Sequence, residues 1–153
     1  MKQKNELSGV AIVGTRERGG IRAVIENHIQ AGVYDGHRHY FIASHDEVSM
    51  AKRFLLAFTS LLTLLSLIIR GKVSLCHLHG SMKGSIYRKA AFVFVCRLLK
   101  CRVIFHLHGS EFAMTYKNAG ATYTNMVHFV LNHSDCFFVL SDYWKSYVES
   151  ISK

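Results

Sequence analysis

Apolar and polar positions change period along the chain in a regular way. Leu7 to Val13 is a short apolar run that stops at Gly14 and predicts a strand; Ile21, Val24, Ile25, His28 and Ile29 then recur at helical spacing and predict a helix closed by Gly32. His39 to Ala43 predicts a second strand, with Asp46 as the cap of a long apolar helix that runs to Ile69. Val73 to Leu78 predicts a third strand, and Ser85 caps a helix in which Tyr87, Ala91, Phe94, Val95 and Leu98 share a face. Arg102 to Leu107 returns as a strand, Tyr123 to Leu131 as a helix and Cys136 to Leu140 as a fifth strand. The chain closes on an amphipathic stripe of Tyr143, Trp144, Tyr147, Val148 and Ile151.

Strands that scarcely alternate, separated by helices, bury both their faces. The expected fold is therefore α/β, a Rossmann-like doubly wound parallel sheet of about five strands, with residues 1–153 forming one domain. In such sheets ligands sit beyond the carboxyl ends of the strands, near the point where strand order reverses. The residues that follow each strand are the ones to search for chemistry.

Composition narrows the partners. The 153 residues carry 19 Lys and Arg against 10 Asp and Glu, a net charge of +9 that attracts phosphates or acidic headgroups. Basic charge alone also admits nucleic acid, but no aromatic platform or recognition helix accompanies it, so none is assigned as partner. Cys76, Cys96, Cys101 and Cys136 form no CxxC pair, which suggests a reducing compartment, and the first residues lack a secretory pattern. A cytoplasmic location is expected. Phe54 to Ile69 has no charge and is flanked by Lys52, Arg53, Arg70 and Lys72. As a helix this run is about 24 Å long, short of the roughly 30 Å hydrocarbon core, which favours a buried or interface-lying helix over a membrane span.

The loop Gly14-Thr15-Arg16-Glu17-Arg18-Gly19-Gly20-Ile21 joins a strand to a helix. Gly19 and Gly20 let backbone approach a ligand, the helix start favours an anion, and Arg16, Arg18 and Arg22 add cationic reach; a tight turn without ligand is the plain alternative. The strongest internal signal is a repeated pentapeptide, His77 to Ser81 and His106 to Ser110, each copy closing an apolar strand. Alternation puts the two histidines of each copy on one face, with His77 and His106 packed inside and His79 and His108 at the rim. His-x-His pairs are also metal-ligand patterns, as is His37 with His39. Zinc hydrolases usually need three convergent ligands, often with a carboxylate, and only Glu111 follows a pair closely, so neither metal nor cofactor is assigned. Lys83, Arg88 and Lys89 line a phosphate or acidic-lipid site in one reading, while in the other Arg88 and Lys89 point to solvent. Glu111 is placed to accept a hydroxyl proton or to cap the following helix.

The glycine pair with Ile21, the run from Leu75 to Lys89 (LCHLHGSMKGSIYRK), the run from Val103 to Phe112 (VIFHLHGSEF) and the run from Cys136 to Trp144 (CFFVLSDYW) together resemble the amino-terminal half of family 4 glycosyltransferases of the GT-B fold. The resemblance covers nearly the whole chain in order. It implies an acceptor-side domain facing a second domain that holds most of a nucleotide sugar. It also implies that Gly19 and Gly20 lie near the donor diphosphate and that His108 lies near the sugar being transferred, with Glu111 as a further catalytic candidate. Arg22, His79 and Lys83 complete the expected donor-phosphate and substrate contacts.

The paired-glutamate donor motif of that family falls in a carboxyl-terminal domain, and this chain ends at Lys153 just after the helix following the fifth strand. The expected function is thus one half of a glycosyltransferase, moving a sugar to a glycan or lipid-linked acceptor in surface-polysaccharide synthesis. It is expected to work at the inner face of the cytoplasmic membrane, and poorly or not at all without a separate donor-binding chain. A non-catalytic module that binds anions or membrane surfaces is the alternative, and a metal-dependent hydrolase a third.

Overall fold

The structure is a computed structural model that describes residues 8–81, 85–109 and 111–152. Strands β1 (Gly9–Thr15), β2 (His39–His45), β3 (Val73–Gly80), β4 (Arg102–Leu107) and β5 (Cys136–Phe138) alternate with helices α1 (Gly20–Gln30), α2 (Met50–Ile69), α3 (Ile86–Leu98), α4 (Phe112–Lys117), α5 (Ala121–His133) and α6 (Asp142–Ile151). All strand pairings are parallel and the sheet order is β2-β1-β3-β4-β5. This is the expected doubly wound α/β sheet, and its strand order reverses between β1 and β3.

The two faces of the sheet are built differently. On one side Ala11, Val13, Cys76, Leu78, Val103, Phe105 and Leu107 meet helices α2, α3 and α5 in a continuous apolar core. On the other, Val10, Ile12 and Leu75 pack under α1 with Ile25 and Tyr34, and the strand positions beyond Leu75 on that face are histidines. Three of the four cysteines, Cys76, Cys96 and Cys101, are buried as free thiols in the apolar core.

Several elements depart from the pattern-based expectation. In α3 the buried residues are Ile86, Lys89, Ala90, Phe92, Val93 and Cys96, whereas Tyr87, Phe94 and Leu98 of the expected face are exposed. The stripe was misplaced because a lysine occupies an inward position, which helical periodicity counts as polar. The long apolar helix starts earlier than expected, at Met50 with Ser49 before it, and only Ser60 and Leu64 are fully buried. It lies along β2, β3 and α3 with one flank covered, and Phe54, Leu55, Phe58 and Leu62 remain open. At 20 residues it is about 30 Å long and apolar enough to cross a membrane by length and composition, although it is the one such helix among the described residues. Helix α4, too short to show a period, went unread. Ser141 caps α6, its hydroxyl accepting from the Trp144 N–H at 3.4 Å.

Candidate functional site

Two features converge at the carboxyl ends of β1 and β3, where the strand order reverses. The first is a cavity of about 880 Å³. Gly14, Thr15, Ser44, His45, Gly80 and Ser81 form its end at the sheet, and α2 and α3 form its walls. The walls are apolar, with Phe54, Ala57, Phe58 and Leu61 facing Tyr87, Ala91 and Phe92. Toward the sheet they give way to Arg53, Arg88 and Lys89.

Lys89 is the chemical centre of that end. Its side chain is 2% exposed, and its Nζ donates to the Ser44 hydroxyl at 3.2 Å and to the Val13 carbonyl at 3.4 Å. Burial, reinforced by the nearby Arg88, pulls the ammonium down to about 7 from the ordinary lysine value. Gly80 makes room for it: a Cβ there would lie 3.3 Å from Lys89 Cε and 3.3 Å from Phe105 Cζ. Ser44 in turn donates to the Gly14 carbonyl, so β1, β2 and α3 are joined under the cavity by one polar chain. Three residues that line it each hold a buried polar atom without a hydrogen-bond partner: His45 Nδ1, Ser85 Oγ and Arg88 Nε. An unpaired buried polar group costs about 1–3 kcal/mol, so these three atoms detract from stability as they stand. The reading that turned Lys89 to solvent is excluded, and the half-buried Arg88 lines the cavity.

The second feature is a ladder of imidazoles on the α1 face. The pentapeptides are staggered by one pleat: His77 pairs with Ile104, and His79 with His106. Alternation then places His77, His79, His106 and His108 in one file, and His28 from α1 stacks onto it. Ring centroids are 4.2 Å apart for His77 and His79, 5.1 Å for His79 and His106, and 4.2 Å for His106 and His108; His28 lies 5.9 Å from His77 and 5.6 Å from His106. His77 Nδ1 meets the Tyr34 hydroxyl at 2.8 Å, and His79 Nδ1 meets His108 Nε2 at 3.0 Å. Burial above all, and then the neighbouring imidazoles, keep the ladder neutral: His77 falls to about 3, His106 and His108 to about 4, and His79 is lowered further. Two triplets, His28 with His77 and His79, and His79 with His106 and His108, each bring their ligand atoms within 4.8 Å of one another.

His77 and His106 are buried and His108 is half-open, as expected, and the stagger corrects only the rim placement of His79. His79 is 1% exposed, more deeply buried than His106 at 7%, and only His108 is half-open. A Cβ at Gly109 would run into the Ser81 carbonyl, so the loops after the two strands lie against each other at one sheet edge. Glu111 is exposed at the start of α4 and makes no side-chain capping bond there. Arg22 is engaged on its own helix, with Nε bonded to Glu26 at 2.6 Å and its guanidinium 4.5 Å over the Phe41 ring. Gly19 and Gly20 border open space, since a Cβ at either would meet nothing within 4 Å. Neither they nor Arg22 line the cavity, whereas Glu17 and Ile21 of the same loop and His79 do. Lys83 lies outside the described residues.

Sequence reasoning missed Ser44, Arg53 and His45, which carry no motif and reach the cavity through the sheet order alone. The cationic first turn of α3 was the legible signal for Lys89. Compared with protein-family models and with curated proteins, the chain finds no match.

Proposed function

We propose that this chain is the acceptor-side half of a nucleotide-sugar-dependent glycosyltransferase, and that its cavity seats a lipid-linked acceptor. One observation carries the reading. The cavity is amphiphilic, with a buried lysine and unpartnered polar atoms at the sheet end and aromatic and aliphatic walls toward the surface. A phosphate-headed chain molecule complements both ends: Lys89, Arg88 and Arg53 face the phosphate, and Phe54, Phe58 and Leu61 face the hydrocarbon. The sugar arrives from a donor-binding half that holds the nucleotide. The acceptor hydroxyl oxygen bonds to the anomeric carbon as the bond from that carbon to the diphosphate oxygen breaks. His108 and Glu111, both following β4 at the carboxyl rim, are the groups this half offers to the transferred sugar and to the acceptor proton. Glycan acceptors without a lipid would use the polar end alone.

The open flank of α2 supports a second reading. Phe54 and Leu55 are 72% and 62% exposed beside Lys52 and Arg53, a combination that suits the surface of an anionic membrane. In that reading the chain binds membrane without catalysis. The two are separated by one assay set. The chain is co-expressed with a carboxyl-terminal donor-binding chain, and transfer from nucleotide sugars to a polyprenyl-phosphate-linked acceptor is measured. Transfer that Lys89→Met abolishes supports the first reading, and absence of transfer in every pairing removes it. Flotation with anionic vesicles that Phe54→Ser and Phe58→Ser abolish, in a chain that transfers nothing, establishes the second.

A further inference from the structure

The histidine ladder has no part in the proposed reading beyond His108, and as protein alone it is costly. Four of its buried nitrogens, His28 Nδ1, His77 Nε2, His79 Nε2 and His106 Nδ1, have no hydrogen-bond partner. Native interiors rarely leave such atoms unpaired, and here they sit together on one sheet face rather than scattered. We propose that His28, His77 and His79 form a three-imidazole site for a zinc-class divalent ion, which ties α1 to β3.

The geometry selects this triplet over the overlapping one. The ligand atoms of His28, His77 and His79 lie within 4.8 Å of one another. Two nitrogens on a tetrahedral ion, each about 2.1 Å from it, stand about 3.4 Å apart, so small ring rotations close the site. His77 and His79 are already held through Nδ1, by the Tyr34 hydroxyl at 2.8 Å and by His108 at 3.0 Å, and each leaves an unpartnered Nε2. That is the usual arrangement of a ligating histidine, one nitrogen for the ion and the other for an orienting partner. All three members of this triplet carry an unpartnered buried nitrogen, whereas in the alternative only His79 and His106 do. Because His79 belongs to both sets, a single ion is accommodated. Three neutral imidazoles without thiolate or carboxylate suit Zn²⁺, Co²⁺, Ni²⁺ or Cu²⁺ and not Mg²⁺ or Ca²⁺. His106, whose Nδ1 is unpartnered and whose ring lies 5.1 Å from that of His79, is the group beside the fourth position.

The test uses the tag-free chain of residues 1–153, stripped with a chelator and titrated with Co²⁺ by visible absorption, then with Zn²⁺ in competition. One ion per chain is expected, with a rise in Tm on adding Zn²⁺ and none on adding Mg²⁺. His28→Ala, on the half-exposed flank of α1, should weaken binding by about 100-fold or more, and Tyr34→Phe by about 10- to 100-fold as an orienting partner. His133→Ala, exposed at the end of α5, should titrate as the parent. Circular dichroism confirms that each variant is folded, and Tyr34→Phe carries the test should His28→Ala fail that check. Failure of the stripped parent to take up a stoichiometric ion overturns the site, as does a folded His28→Ala or Tyr34→Phe chain that binds like the parent.

Discussion

The two faces of this sheet solve opposite problems. The side under α2, α3 and α5 is filled with aliphatic and aromatic groups down to Phe105, Phe92 and Val93, all essentially inaccessible. The side under α1 begins in the same way, with Val10, Ile12 and Ile25, and then becomes a file of imidazoles. Apolar burial stabilises a fold at about 25 cal/mol per Å², whereas each unpaired buried nitrogen detracts from it. The face under α1 forgoes that stability where the imidazoles begin. Lys89 brings the same economy to the apolar face, crossing it beside Gly80 to place an amine at the cavity floor.

The contrast is sharpest in truncation. Phe105→Ala, on the apolar face, should cost about 3–5 kcal/mol in urea unfolding. His106→Leu, its neighbour on the other face, should leave stability within about 1 kcal/mol of the parent or raise it when a chelator is present, because it deletes an unpaired polar atom. Equal losses at both positions would break the distinction between the faces.

Acid sharpens it further. With His77 lowered to about 3 and His106 and His108 to about 4, the unfolded chain binds protons below about pH 6.5 that the folded chain refuses. Stability should therefore fall as pH drops from about 6.5 to 4, by about 1 kcal/mol per pH unit for each buried imidazole, and His106→Leu should reduce that slope by one share. Lys89 acts in the alkaline range with the same sign. Its amine is about 7 when folded and near its ordinary 10.5 when unfolded, so stability should rise with pH between those values. Lys89→Met should flatten the rise. Tyr34→Phe, which removes the hydroxyl at His77, should cost about 1 kcal/mol in metal-free buffer.

What was legible in the sequence divides along the same line. Strand and helix order followed from apolar runs, and the parallel sheet followed from strands that do not alternate, because those features depend on local periodicity. Burial at the site followed only in part, for His77 and His106. His79 was placed at the rim because repeat copies suggest aligned strands, and the observed pairing of His79 with His106 depends on a one-pleat stagger that no single strand encodes. Lys89 was read as lining a phosphate or acidic-lipid site or else as pointing to solvent, and its inward position beside Gly80, at the end of the preceding strand, comes from how α3 packs on the sheet and not from its own helical period. His28 looked like one more member of the α1 stripe, and only the packing of α1 over β3 and β4 makes it part of the ladder.

The central claim is that the cationic end of the cavity, floored by Lys89, seats the phosphate of an amphiphile. Equilibrium titration of the chain with a short-chain polyprenyl phosphate, beside the corresponding uncharged prenol, tests it directly. The account predicts one phosphate bound per chain, weakened about tenfold or more by Lys89→Met in a variant that remains folded, since a charge-assisted hydrogen bond contributes about 1.5–3 kcal/mol. Equal binding by parent and Lys89→Met, or prenol binding as tight as its phosphate, would contradict it.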